Sequence, residues 1–202
     1  MSNFKSLKKA ACEQLKGQWT QFAILTFVYF LLGWVVSFAE SSMWNYSIIT
    51  TLLMIPMAYS YAVLFLDNKR TGEPAKVEKL FVGYNDYLRI TGTALLEYVY
   101  LILWALLLII PAFVKGMAYS QTQYVLKDNP ELSYDAAIER SMAMMQGHKW
   151  EFFCLFLSFI GWILLEIITL GIAAIWVTPY MNATFANYYE ELKAEYEQKI
   201  AA

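Results

Sequence analysis

The sequence predicts an all-α protein: a polytopic membrane bundle of about six transmembrane segments, with cytoplasmic amphipathic helices between pairs of them. Three observations predict it. The 202 residues are 59% hydrophobic, 17% aromatic and 16% charged, whereas a soluble domain is about 45–50% apolar and about 25% charged. The apolar residues come in blocks near the ~20 residues that a helix needs to cross hydrocarbon. The charges collect between those blocks. The same counts exclude a charge-rich disordered chain, and a net charge of −2 gives no reason to expect nucleic acid as a partner.

Residues 1–18 read as an amphipathic cytoplasmic helix. Phe4, Leu7, Ala11 and Leu15 fall at helical spacing among Lys5, Lys8, Lys9 and Lys16. Residues 19–66 give a first hairpin from the blocks Trp19–Ala39 and Asn45–Leu66, with Glu40 between them. Ser37-Phe38-Ala39 resembles a signal-peptide cleavage site. The block before it exceeds the ~7–15 residues of a signal h-region, so it reads as a retained helix. Residues 67–90 form a second amphipathic stretch, with Val77, Leu80, Phe81, Tyr84 and Leu88 on its apolar side.

The second hairpin, 91–126, holds Thr91–Ile110, interrupted by Glu97, then Pro111 and the shorter, more polar Ala112–Leu126. That last stretch fits a crossing, a re-entrant segment, or a helix continued from the one before with a kink at Pro111. Residues 127–149 carry a third amphipathic helix. Ser133 suits its N-cap, because a serine hydroxyl accepts a free backbone N–H, and Ala137, Ile138, Met144 and Met145 make its apolar side. Residues 150–189 give the third hairpin, Trp150–Ile168 and Ile172–Tyr189, joined by Thr169-Leu170-Gly171. Gly171 suits a helix C-cap because glycine tolerates a left-handed backbone. Residues 190–202 are a cytoplasmic tail. The amphipathic stretches can lay their apolar stripes on the headgroup boundary or on the bundle's own cytoplasmic face.

Charge placement orients the chain. Of its 15 Lys and Arg, Lys115 alone lies inside an apolar segment. With six crossings the rest fall on one side, and cytoplasmic loops carry the Lys/Arg excess. Both termini are therefore expected in the cytoplasm. A local echo also points to a threefold repeat of amphipathic helix and hairpin. Met57-Ala58-Tyr59-Ser60 follows Pro56, and Met117-Ala118-Tyr119-Ser120 follows Pro111. Asp67-Asn68, Asp128-Asn129 and Glu190-Glu191 then close the second, fourth and sixth segments.

Ionisable groups inside a membrane are costly, so they mark candidate sites. Glu97, Lys115 and Glu166 are the ones present, and Tyr59 and Tyr119 are the hydroxyls that could join Glu97 at an intramembrane polar site. Lys115 and Glu166 lie at similar depth near the outer face and could pair, or each could reach water on its own. Glu97 could equally be satisfied by Tyr98 or Thr93. Ala112, Gly116 and Ser120 make a smooth face for close helix packing, and Pro56 and Pro179 bend their helices or line a cavity. Several tryptophans, Trp19, Trp44, Trp104, Trp150 and Trp176, fall at or near predicted boundaries. Lone His148 suits a headgroup better than a metal, which needs three or four ligands. Cys12 and Cys154 read as free thiols. No catalytic residue, cofactor site or metal site is expected, since no GxSxG, Walker, HExxH or paired-carboxylate pattern is present. The sequons at Asn45 and Asn182 are weak matches and are assigned no role.

The second half carries a specific composite: Leu108-Ile109-Ile110-Pro111 with Lys115 and Tyr119-Ser120, then Asp128-Asn129-Pro130-Glu131-Leu132. Gly147-His148-Lys149, Ser158-Phe159-Ile160-Gly161-Trp162, Thr169-Leu170-Gly171-Ile172 and Pro179-Tyr180 complete it. This order closely resembles the DUF975 family of bacterial integral membrane proteins, whose function is undefined. The match extends over roughly 76–192, Gly17-Gln18-Trp19 is similar to the family's amino-terminal Gly-x-Trp, and Ala112 stands where members often have glycine. The resemblance implies a multi-helix protein of the bacterial inner (cytoplasmic) membrane and carries over no catalytic residue. The function expected first is a non-enzymatic organiser that binds the bilayer and, through its cytoplasmic amphipathic helices, a membrane-protein partner or a second copy. The alternative is a small transporter or permease with a polar site near Glu97.

Overall fold

Contacts between aromatic and small residues fold the chain back on itself three times. The computed structural model describes residues 4–41 and 47–201, with side chains described within 4–36 and 49–201. The start of the second block, with Trp44 and the sequon at Asn45, lies outside the described residues. Helix α1 spans Phe4–Leu15, α2 Trp19–Ser41 and α3 Ser47–Thr71. A 3₁₀ segment, Val77–Asp86, leads into α4 (Tyr87–Leu107), α5 (Ile109–Tyr119) and α6 (Thr122–Asp128). Then come α7 (Tyr134–Met144), α8 (Lys149–Leu157), α9 (Ile160–Ile168) and α10 (Ala174–Ala201). The described residues contain no strand.

Stretches of four helical regions are long and apolar enough to cross a membrane: Trp19–Val36, Ile49–Thr71, Val77–Leu107 and Lys149–Ile168. The other two expected blocks are built differently. Ala112–Leu126 is divided between α5 and α6 by a turn at Ser120–Gln121, and Ile172–Tyr189 runs into the acidic end of α10.

In the first pair, Phe22 stacks on Phe65 at 5.0 Å, the Thr26 and Tyr61 hydroxyls meet at 2.8 Å, and Gly33 faces Met54. Rising numbers meet falling ones, so α2 and α3 are antiparallel. The second pair reverses at Leu108, whose backbone is extended (φ −161°, ψ 139°). Gly116 then packs on Leu101, and Arg89 reaches the Leu126 carbonyl at 3.3 Å. Pro111 is no kink in a continuous helix. It lies in the first turn of α5, where a missing N–H costs nothing. In the third pair Phe152 meets Tyr188 at 5.4 Å and Phe159 meets Tyr180 at 5.5 Å. Helix α9 ends with Leu170 (φ 52°) and Gly171 (φ 87°) left-handed, and the Gly171 N–H donates to the Glu166 carbonyl at 2.8 Å. That six-to-one bond caps the orphan carbonyls of the helix end.

The first and third amphipathic stretches spend their stripes on the bundle, whereas of the second stripe only Leu80 is buried and Val77, Phe81 and Leu88 stay exposed. Leu7, Ala11 and Leu15 are fully buried where α1 lies against α10, and Ala137, Ile138 and Ser141 of α7 are buried likewise. Ser133 occupies the N-cap position of α7 without a capping side-chain bond, a correction to the role its hydroxyl suggests. The second stretch is 3₁₀ where regular helical spacing led us to expect an α-helix. Gly83 explains the close approach: a Cβ there would strike the Pro56 carbonyl, and the Gly83 N–H donates to Ser60 Oγ at 2.7 Å. Pro56 lacks the N–H that would have satisfied the Leu52 carbonyl. The Tyr87 hydroxyl approaches that carbonyl at 3.4 Å, and the Tyr84 hydroxyl donates to the next one, Leu53, at 2.7 Å.

Burial is uneven along the pairs. Leu66, Tyr124 and Tyr189 near their closed ends are buried, whereas Leu106, Ile109, Ile110 and Leu170 at the turns are 78%, 82%, 78% and 93% exposed. An apolar surface of this kind suits lipid or a protein partner rather than water. Removing a methylene-rich core side chain costs about 2–5 kcal/mol. Leu7→Ala is therefore expected to lower unfolding stability in detergent by that amount, while Leu88→Ala, at a 76% exposed position, stays within about 0.5 kcal/mol. Equal effects would refute the seat of α1 in the core.

Candidate functional site

At the closed end of the three pairs, the helices that return there are tied by charge. Arg70 of α3 grips Asp128 of α6 with two nitrogens, at 2.6 and 2.8 Å, and donates through Nε to Glu190 of α10 at 2.5 Å. Lys193 and the Tyr189 hydroxyl of α10 also donate to Asp128, at 2.7 and 2.9 Å. Lys127 closes the ring on Asp67 at 2.9 Å. Bidentate pairing of this kind fixes direction as well as distance. Beside it runs an amide chain. Asn187 donates to Gln14 at 2.7 Å, Gln14 to Asn68 at 3.0 Å, and Asn68 to Gln18 at 3.0 Å. These bonds join α1, α3, α10 and the start of α2.

The candidate site lies one to two turns further in. Glu97 of α4, Tyr59 of α3 and Thr122 and Gln123 around the start of α6 line a cavity of 190 Å³, whose wall Thr93 and Tyr98 complete. The Thr122 hydroxyl lies against the Glu97 carboxyl and donates to the Tyr119 carbonyl at 2.8 Å. Glu97 Oε1 is buried with no hydrogen-bond partner among the described residues. A carboxylate oxygen left so is costly. The local hydroxyl expected to satisfy it is not the one that does. Thr93 Oγ1 donates to the Arg89 carbonyl at 2.8 Å, and the partner comes instead from across the hairpin.

Of the five residues singled out from the sequence, the structure brings Glu97 and Tyr59 together. Tyr119 is buried beside Ala118 and Ile138, with Leu96, Tyr100 and Leu101 around it, and lies outside the cavity lining. Lys115 does not meet Glu166. Its ammonium lies 5.1 Å from the Trp104 ring centre and 3.5 Å from Met142 Sδ, held by α4 and α7, while Glu166 sits in α9. Similar depth in two helices does not make them neighbours. His148 joins α8 to α10, with Nδ1 3.2 Å from Glu151 and Nε2 3.2 Å from Glu195. Among the described residues no three His, Cys, Asp or Glu side chains gather as metal ligands. Asp128 and Glu190 were visible only as parts of the echo at the segment ends, Arg70 only as one of the cations between apolar blocks, and Thr122 carried no signal of its own.

A chain whose described residues form helices without a strand, four helical stretches among them apolar enough to cross a membrane, and which lines a cavity with the carboxyl of Glu97, has the make-up of a membrane protein. The model of the family described as "Protein of unknown function (DUF975)" matches residues 1–115 and 106–196, and the chain belongs to that family. No curated protein and no solved structure matches it.

Asp128 gives the charge ring a pH signature. Burial raises its pKa, but the bonds from Arg70, Lys193 and Tyr189 outweigh that and hold the carboxyl at about 2, below its ordinary 3.8. A depressed folded pKa adds stability that is full above the unfolded value and fades as pH falls through the folded one. Melting temperature should therefore drop between about pH 4 and pH 2, and Asp128→Asn should flatten that drop. At pH 7 the same substitution should cost about 2 kcal/mol, a value moderated by the partial exposure of Arg70 and Lys193. A pH profile unchanged in Asp128→Asn would remove Asp128 as its source.

Proposed function

We propose that the chain is a multi-pass protein of the bacterial inner membrane whose six apolar segments cross as three hairpins, with both termini in the cytoplasm. The placement of 14 of its 15 cations outside the apolar segments supports that orientation. The echo of Met57-Ala58-Tyr59-Ser60 in Met117-Ala118-Tyr119-Ser120 supports a threefold repeat. Its work is non-catalytic: it binds a ligand within the membrane at the Glu97 cavity, as a small transporter or permease does. The observation that carries this reading is a carboxylate in an apolar segment with one oxygen buried and unpartnered beside a cavity. Among the described residues Thr91 Oγ1, Gln121 Oε1 and the Tyr124 hydroxyl are also buried without a partner, but of these four groups Glu97 is the one that lines the cavity.

The organising function is a second reading, favoured by the wide apolar surface at the turns. There a membrane-protein partner or a second copy could pack. The apolar stripes of α1 and α7 are already buried, so this reading uses the membrane face and not the cytoplasmic helices.

Two measurements test the proposal. In a background without Cys12 and Cys154, single cysteines at Leu108 and Leu170 are expected to react with an impermeant thiol reagent from outside intact cells, and one at Lys199 only after lysis. The reverse pattern would overturn the orientation. Glu97→Gln is expected to match or exceed the parent in melting temperature while losing a small-molecule adduct that the parent retains in native mass spectrometry. Identical adduct spectra would sink the ligand-binding reading.

A further inference from the structure

A larger groove of 560 Å³ adjoins the Glu97 cavity, walled by Tyr29, Gly33 and Trp34 of α2 and Met54 of α3. It shares Ile55, Ala58 and Tyr98 with the cavity, so the two are neighbours along one cleft. Its size falls within the roughly 300–1,000 Å³ of small-ligand sites. The rim is open, with Trp34 67% and Tyr98 54% exposed, and it lies in the apolar part of the helices, where the surroundings are hydrocarbon. The groove is lined mainly by apolar and aromatic residues, with Thr50 and Thr51 among them, and the other end of the cleft holds a carboxylate.

We propose that this cleft binds a single-chain amphiphile with a cationic, donor-rich head such as a primary amine, its chain in the groove and its head at Glu97. The inference rests on the ligand-binding reading above and names the ligand class for it. Three features choose the head. Glu97 Oε1 lacks a partner. The cation of the same hairpin, Lys115, is turned toward Trp104 and Met142. Tyr59 and Gln123, whose hydroxyl and amide oxygens are able to accept, are among the lining residues, and an ammonium offers three donors and no acceptor. An anionic head would face uncompensated repulsion from Glu97.

The direction of the cleft also fits. Glu97 lies eight residues beyond Arg89, about 12 Å at helical rise, and the groove runs from there toward the turns. With the charged end of the bundle in the cytoplasm, the bound molecule is oriented like a lipid of the inner leaflet, with its head toward the cytoplasm and its tail toward the midplane.

The test uses the full chain in phosphatidylcholine nanodiscs with three probes: hexadecylamine, hexadecanol and hexadecanoic acid, each carrying a mid-chain diazirine. After irradiation, labelled peptides are mapped by mass spectrometry. The amine is expected to label α2 and α3 at the groove about tenfold more than the alcohol, a ratio worth about 1.4 kcal/mol. Glu97→Gln is expected to bring the amine down to the alcohol. Ala58→Leu, where groove and cavity meet, is expected to lower labelling by all three probes while melting as the parent does. Equal labelling by amine, alcohol and acid, or amine labelling untouched by Glu97→Gln, overturns the inference. An adduct lost from Glu97→Gln in native mass spectrometry, together with no preference for the amine, removes this inference and leaves ligand binding standing. Loss of both results removes both.

Discussion

The bidentate grip of Arg70 on Asp128 is the constraint around which the structure is arranged. The Asp128 side chain is 6% exposed and receives Arg70, Lys193 and the Tyr189 hydroxyl at once. A carboxylate this enclosed is affordable only with donors on several sides. Those donors come from α3 and α10 while the acceptor comes from α6, so satisfying one charge sets the mutual positions of three helices. Without it α6 would keep the Lys127–Asp67 pair and apolar contacts, which tolerate sliding, while α3 and α10 would be joined by the amide chain through Gln14.

The candidate site inherits its geometry from that ring. Tyr59 stands on the helix that carries Arg70, and Thr122 on the one that carries Asp128. The lock therefore holds the walls of the Glu97 cavity at a set spacing. The 3₁₀ segment and the start of α4 add a second clamp, because the hydroxyls of Tyr84 and Tyr87 reach the Leu53 and Leu52 carbonyls near Pro56 and Gly83 closes on the same turn. Proline opens the backbone of α3 and tyrosines fill the opening, a local polar repair in an apolar helix.

Much of this was legible in the sequence. Block length and charge distribution marked the apolar helices, and the spacing of Leu7, Ala11 and Leu15 marked α1 and its buried face. Glu97 was visible because a carboxylate in an apolar run is expensive wherever it sits. Other features depend on what comes near in space. Lys115 and Glu166 share a depth, but depth along a helix says nothing about which helix is next to it. Thr122 is an ordinary residue until α6 turns back beside α4. The reversal at Leu108 was hidden because Pro111, the conspicuous residue, is only the start of the next helix. The acids of the ring, Asp67, Asp128 and Glu190, were glimpsed as an echo in spacing, without any sign that Arg70 would bridge two of them.

The turn at Leu108 has a consequence for how such a chain enters a membrane. Between Tyr98 and Val114 no side chain is ionisable except the tyrosine hydroxyl groups, and the turn itself is leucine and isoleucine, broadly exposed. In the inserted arrangement proposed above, the tip itself carries no ion, and the first cation behind it is Lys115, seven residues past Leu108, whose ammonium lies against the Trp104 ring and Met142 Sδ. The charges of the ring lie at the other end of the pairs. Under that reading insertion and locking are separate events, the first driven by apolar surface and the second by the meeting of Arg70 with Asp128.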